Sequence, residues 1–105
     1  MQRLNAQELK TRLSDSEPPL VLDVREPWEV KLCALPGSMH IPMRDIPERL
    51  AEIDRERDLV VLCHHGVRSL AVANFLAGQG YTRIYNLDGG IDGWAKQVEP
   101  SMPKY

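Results

Sequence analysis

Residues 59–69 read Leu-Val-Val-Leu-Cys-His-His-Gly-Val-Arg-Ser, an apolar run that delivers a thiol, two imidazoles, a glycine, a guanidinium and a hydroxyl within seven positions. Chemistry at this spacing would be nucleophilic. A cysteine that follows a strand and precedes a helix sits among backbone N–H groups that have no strand partner. A tight turn aims several of those groups inward as a cradle for an anion. Gly66 permits a backbone conformation such a turn requires. Helix N-termini and cationic neighbours favour thiolate over thiol, and Arg68, His64 and His65 add cationic character. The loop from Cys63 to Ser69 therefore reads as a device that makes a thiolate and holds a small anionic adduct on it. The competing reading is that Cys63 is a small hydrophobe closing a buried strand.

The elements that would position this loop follow from local pattern. Asn5 caps a helix to about Leu13, with Glu8 completing a capping box and Leu4 stapling onto Leu9. Residues 20–24, Leu-Val-Leu-Asp-Val, form a buried strand with Asp23 near its carboxyl end. A short helical turn spans Pro27 to Lys31, Pro36-Gly37 breaks the chain, and Met39-His40-Ile41 is a brief strand closed by Pro42. Asp45 caps a second helix with Pro47 in its first turn, burying Ile46, Leu50 and Ile53. Residues 59–63 are a second buried strand, Arg68 to about Ala77 a helix, and residues 82–87 another strand. Gly89 and Gly90 make a turn at positive φ before a last helix, and residues 99–105 are a tail.

Strands alternating with helices predict a parallel α/β sheet covered by helices on both faces. In such sheets the binding site lies at the carboxyl ends of the strands, where Asp23 and Cys63 fall.

Totals exclude several classes. The chain has 105 residues, 43% of them hydrophobic, which predicts one domain spanning residues 1–105. A net charge of −2 lacks the basic bias of a nucleic-acid-binding protein. No apolar stretch is long enough to span a bilayer, and Met1 to Lys10 lacks the core of a signal peptide, so a cytoplasmic protein is expected. Cys33 and Cys63 are too few for a disulfide scaffold, and neither has a partner at metal-ligand spacing, so no metal or other cofactor is expected. Cys33 reads as buried filler.

The motifs resemble the rhodanese-like family. Cys63-His64-His65-Gly66-Val67-Arg68-Ser69 is similar to its active-site loop, Cys-x-x-Gly-x-Arg-Ser. Asp23-Val24-Arg25 with Glu29, Leu35-Pro36-Gly37-Ser38 with His40-Ile41-Pro42, and Leu87-Asp88-Gly89-Gly90-Ile91 with Trp94 resemble further family segments in the right order. The chain departs from the family at Cys33-Ala34, where Gly-His is usual. The resemblance implies a five-stranded parallel sheet and thiosulfate sulfurtransferase-type chemistry. Cys63 would be the catalytic nucleophile, and His64, His65, Gly66, Val67, Arg68 and Ser69 would bind the substrate. The donor would be a small sulfur anion such as thiosulfate, and the acceptor a thiophile: cyanide, a thiol or an acceptor protein. No nucleic acid or membrane partner is implied.

Individual roles divide. Arg68 would either orient the anionic donor or brace the loop, and the residues leave both open. Ser69 is expected to cap the helix, with contact to the Cys63 sulfur secondary. His64 and His65 are expected on the rim, Arg25 is expected to pair with Glu29, and Trp94 is expected in the core. Two alternatives stand beside the sulfurtransferase reading: a non-catalytic docking module on the same fold, and a Cys-dependent phosphatase or arsenate reductase. Oxyanion loops of the latter kind are one residue longer than the stretch His64 to Val67.

Overall fold

The computed structural model describes residues 1–105. Five strands form one sheet: β1 (Gln2–Leu4), β2 (Leu20–Asp23), β3 (Met39–His40), β4 (Leu59–Leu62) and β5 (Ile84–Leu87), in the order β1-β5-β4-β2-β3. Every pairing is parallel. The helices are α1 (Ala6–Leu13), α2 (Pro27–Leu32), α3 (Val67–Gly78) and α4 (Gly90–Gln97).

Alternation along β4 divides the core. Val60 and Leu62 face α1 and α4, packing with Leu9, Ile91 and Trp94. Leu59, Val61 and Cys63 face the other way, with Val72, Ala73 and Leu76 of α3. Both faces of the sheet are therefore covered, which is why the central strands read as unbroken apolar runs. Register aligns Leu62 of β4 with Asp23 of β2, and the Val24 N–H donates to the Leu62 carbonyl at 3.0 Å. Cys63 thus leaves the sheet at its carboxyl edge on the α3 side.

Local expectations meet the structure unevenly. The Asn5–Glu8 capping box forms, with both bonds at 2.9 Å. The helix expected from Asp45 does not. Asp45 lies inside a 3-10 turn, Met43–Asp45, and a second 3-10 stretch, Pro47–Glu52, follows. Arg49 leaves helical geometry (φ −115°, ψ 20°), so this segment closes only i→i−3 bonds, from Arg49 N–H to the Ile46 carbonyl and from Ile53 N–H to the Leu50 carbonyl. Ile46 and Ile53 are still buried, so the apolar spacing survived while the helix type did not. Strand β1 had no sequence expectation. Its three residues pair only with β5 at the sheet edge, too short a stretch to show a period.

Candidate active site

The loop between β4 and α3 is held from behind by the start of α4 and by β5. The Ile91 N–H donates to the Cys63 carbonyl at 2.9 Å and the Asp92 N–H to the His64 carbonyl at 3.0 Å. Asn86 Nδ2 donates to the Gly66 carbonyl at 3.3 Å. All peptides are trans, so C=O and N–H of each unit point opposite ways. The amides of His64, His65 and Val67 consequently face away from α4 and Asn86. None of the His64, His65, Val67 and Arg68 N–H groups donates to a backbone carbonyl. The Gly66 N–H donates to Cys63 Sγ at 3.1 Å.

Two glycines make this possible. Gly66 has φ 104°, and a Cβ there would lie 3.3 Å from the Leu87 carbonyl oxygen and the Gly89 nitrogen. At Gly90 a Cβ would lie 2.3 Å from the His64 carbonyl oxygen, so only glycine lets α4 approach the loop.

Cys63 is buried, 1% exposed. Its sulfur contacts Ser69 Oγ at 3.3 Å, and Ser69 Oγ donates to Asn86 Oδ1 at 2.5 Å. Ser69 is therefore not the helix cap that was expected. Gly66 holds the cap position with no side-chain bond, and Ser69 points down into the core behind the sulfur, where it is fully buried.

Arg68, not Arg25, is the partner of the Glu29 carboxylate. The guanidinium grips the carboxylate through two bonds of 2.7 and 2.8 Å. Those bonds hold the Glu29 carboxyl down at about 2. The expected Arg25–Glu29 carboxylate pair is absent. Arg25 is fully buried against Asp23, with Nη2 at 2.7 Å from Oδ2, and reaches Glu29 only at its backbone carbonyl. The reason is geometric: residues two apart at the end of an extended strand point the same way, while Glu29 sits on α2 with its carboxylate facing α3.

The rim holds the histidines. His65 is exposed, and His64 stacks between it and the Tyr105 ring, with both centroid distances 3.9 Å. Burial, and then the neighbouring His65, lower the His64 pKa. Val67 is the most open of the loop side chains, at 77% exposure. Residues 99–105 read only as a tail, yet Tyr105 packs into the site. Its hydroxyl donates to Glu29 Oε2 at 2.7 Å and accepts from Arg25 Nη1 at 2.9 Å. Burial pushes its phenol up to about 12.

Ligand atoms of His64, His65 and Asp92 lie within 4.8 Å of one another. They are poorly arranged for a metal. The imidazole planes differ by only 25°, so their in-plane lone pairs run side by side instead of converging, and Lys96 Nζ already sits 3.0 Å from Asp92 Oδ2. Trp94 is buried in the core on the α1–α4 face. Cys33 packs into that face too, across the sheet from Cys63. No helix is long and apolar enough to cross a membrane.

Residues missed by sequence reasoning are Asn86 and Tyr105. Asn86 had a signal: in Ile84-Tyr85-Asn86-Leu87 it shares the inward face with Ile84, a polar residue at a core-facing position beside the sheet's carboxyl edge. Tyr105 had none.

The rhodanese-like domain family matches residues 5–97. A sulfurtransferase of Allochromatium vinosum is 39% identical over 97 residues, covering 92% of this chain and 91% of the relative. Thiosulfate sulfurtransferase GlpE of Ectopseudomonas mendocina is 36% identical over 89 residues, covering 85% and 77%. Among solved structures, a rhodanese-like domain protein from Staphylococcus aureus superimposes with a TM-score of 0.87 at 31% identity, covering 93% of this chain and 95% of that one. This chain belongs to the rhodanese-like family.

Proposed function

We propose that the protein is a sulfurtransferase that carries sulfur as a persulfide on Cys63. The observation that carries this reading is the Gly66 N–H, 3.1 Å from Cys63 Sγ, at the head of a loop whose other amides are free of backbone partners. In the first half-reaction the Cys63 thiolate attacks the outer sulfur of thiosulfate, or the sulfane sulfur of a persulfide donor. The S–S bond of the donor breaks and sulfite, or the donor thiolate, leaves with the electron pair. In the second, a thiophile such as cyanide, a thiol or the thiol of an acceptor protein attacks the terminal sulfur. The Cys63 thiolate then departs ready for another cycle.

Negative charge on the terminal sulfur is what the loop amides suit, as donors fixed in place before the reaction begins. Arg68 braces the loop through Glu29 while its side chain stays 37% exposed. Two of its five N–H donors serve Glu29, which leaves the others for an incoming anionic donor. His64, His65 and Val67 border the approach.

The test is intact mass spectrometry after incubation with thiosulfate, beside Cys63→Ser. The expected result is a gain of one sulfur atom in the native protein only, released by cyanide. A gain only from a persulfide donor would assign the physiological donor to that class. No gain from thiosulfate or from any persulfide donor would overturn the proposal.

A further inference from the structure

Behind Cys63 lies a chain of hydrogen bonds whose direction is decided by chemistry. Asn86 Nδ2 faces two groups that can only accept, the Gly66 carbonyl at 3.3 Å and Asp88 Oδ1 at 2.9 Å. The Asp88 carboxylate in turn takes both its oxygens to Arg3 Nε at 3.0 Å. The amide of Asn86 is thereby oriented, with Oδ1 toward Ser69. Oδ1 accepts only, so the single hydroxyl proton of Ser69 lies in the 2.5 Å bond to Asn86. Toward Cys63, 3.3 Å away, Ser69 has only lone pairs to offer.

That geometry suits a thiol, which donates S–H to Ser69. It does not suit a thiolate or a persulfide, whose sulfur would face an oxygen lone pair. We propose that Asn86 is a positioning residue that sets the reactive state of Cys63 by competing with its sulfur for the one proton of Ser69. On ionisation the S–H bond breaks and its proton passes to solvent. The Ser69 hydroxyl then turns from Asn86 Oδ1 to Cys63 Sγ, which keeps the Gly66 N–H as a second donor. No electrons are exchanged. The swap leaves a buried amide oxygen, Asn86 Oδ1, without its donor, and that cost is what sets Asn86 against the sulfur's claim on the Ser69 proton. It rests on reading Cys63 as the reactive thiol, but not on the identity of any sulfur donor.

Of the other charges around the loop, only Asp88 loses a contact when Asn86 is changed, and a Ser69→Ala background subtracts that effect. Those charges are the Arg68–Glu29 pair of α3 and α2, His64 and His65 in the loop, Asp92 with Lys96 on α4, Asp88 with Arg3 beyond β5, and Arg25 with Asp23 at the end of β2.

The experiment is the pH dependence of Cys63 alkylation by iodoacetamide, read by mass on the full chain. Asn86→Ala and Asn86→Thr both release Ser69, and Thr keeps a hydroxyl of free orientation on a β-branched residue suited to the strand. The alkylation midpoint is expected to fall by about one pH unit in each, a tenfold rise in thiolate at fixed pH below the midpoint. In a Ser69→Ala background the same substitutions are expected to leave the midpoint where Ser69→Ala alone puts it. An unmoved midpoint in folded Asn86→Thr would overturn the proposal. So would an equal shift in the Ser69→Ala background, because the effect would then not run through the serine proton. Alkylation needs no sulfur donor, so it is decided separately from sulfur transfer itself.

Discussion

Replacing Glu29 with Gln tests whether the brace under the active-site loop is electrostatic. Glu29 is 3% exposed, and its carboxylate takes both bonds from Arg68. Its carboxyl is depressed from 4.5 to about 2, chiefly by those bonds. A depressed acid stabilises the folded state above its unfolded pKa and loses that contribution as pH falls through the folded one. At 1.36 kcal/mol per unit the shift is worth about 3 kcal/mol at pH 7, and the partial exposure of Arg68 reduces this to about 2–3 kcal/mol. At pH 3 the unfolded carboxyl is protonated while the folded one is still ionised, and about 1 kcal/mol of the contribution remains. Denaturant unfolding of wild type and Glu29→Gln at both pH values reads the difference directly. The gap is expected to narrow by more than half between pH 7 and pH 3, with a Tm difference of roughly 10–20 °C at neutral pH. A gap that does not change with pH would mean Glu29 stabilises by packing, and the brace would have to be reconsidered.

Three further outcomes follow from the same geometry. Gly66→Ala must place a side chain at φ 104° against the Leu87 carbonyl; it is expected to cost about 1–3 kcal/mol in denaturant unfolding and to abolish sulfur loading by intact mass. Gly90→Ala puts a Cβ 2.3 Å from the His64 oxygen, which forces α4 off the loop; hydrogen exchange of the Ile91 and Asp92 amides is expected to rise above all others. Tyr105→Phe removes the hydroxyl between Arg25 and Glu29 and is expected to cost about 1–2 kcal/mol. Because burial raises the Tyr105 phenol to about 12, that contribution is present below pH 10 and lost as pH rises through 12, and ultraviolet titration should show one late tyrosine that the variant lacks.

What could be read in the sequence was what is contiguous. Cys63 to Ser69 is one unbroken stretch, flanked by an unbroken apolar strand and a helix rich in Ala, Leu and Val. The β-strand alternation that buries Val60 and Leu62 on one face also turns Cys63 to the other. The rest of the site is assembled across the chain. Arg25 and Glu29 stand four apart, but Arg25 lies before α2 begins, just past the end of β2. Only the fold brings Glu29 of α2 to Arg68 of α3, 39 positions later. Asn86 and Ser69 are 17 positions apart, and no spacing rule joins a strand residue to the third position of a preceding helix. A 3-10 segment was read as an α-helix because apolar residues at i, i+4 and i+7 do not distinguish the two when a kink at Arg49 lets both ends reach the core.

The same assembly explains why the loop is rigid where chemistry needs it and permissive where it does not. Carbonyls of Cys63, His64 and Gly66 are all taken by groups outside the loop, two of them by α4 and one by Asn86. Those bonds are backbone or buried-amide bonds that no His64, His65 or Val67 side chain enters. The side chains at the three positions are therefore free to face the rim while the peptide planes behind them stay fixed. Substituting His65 or Val67 should change which donors and acceptors are used without changing the cradle. Sulfur loading from thiosulfate should survive Val67→Ser, while transfer to a bulky acceptor shifts. Loss of loading in Val67→Ser would show that the side chains, not the peptide planes, hold the anion.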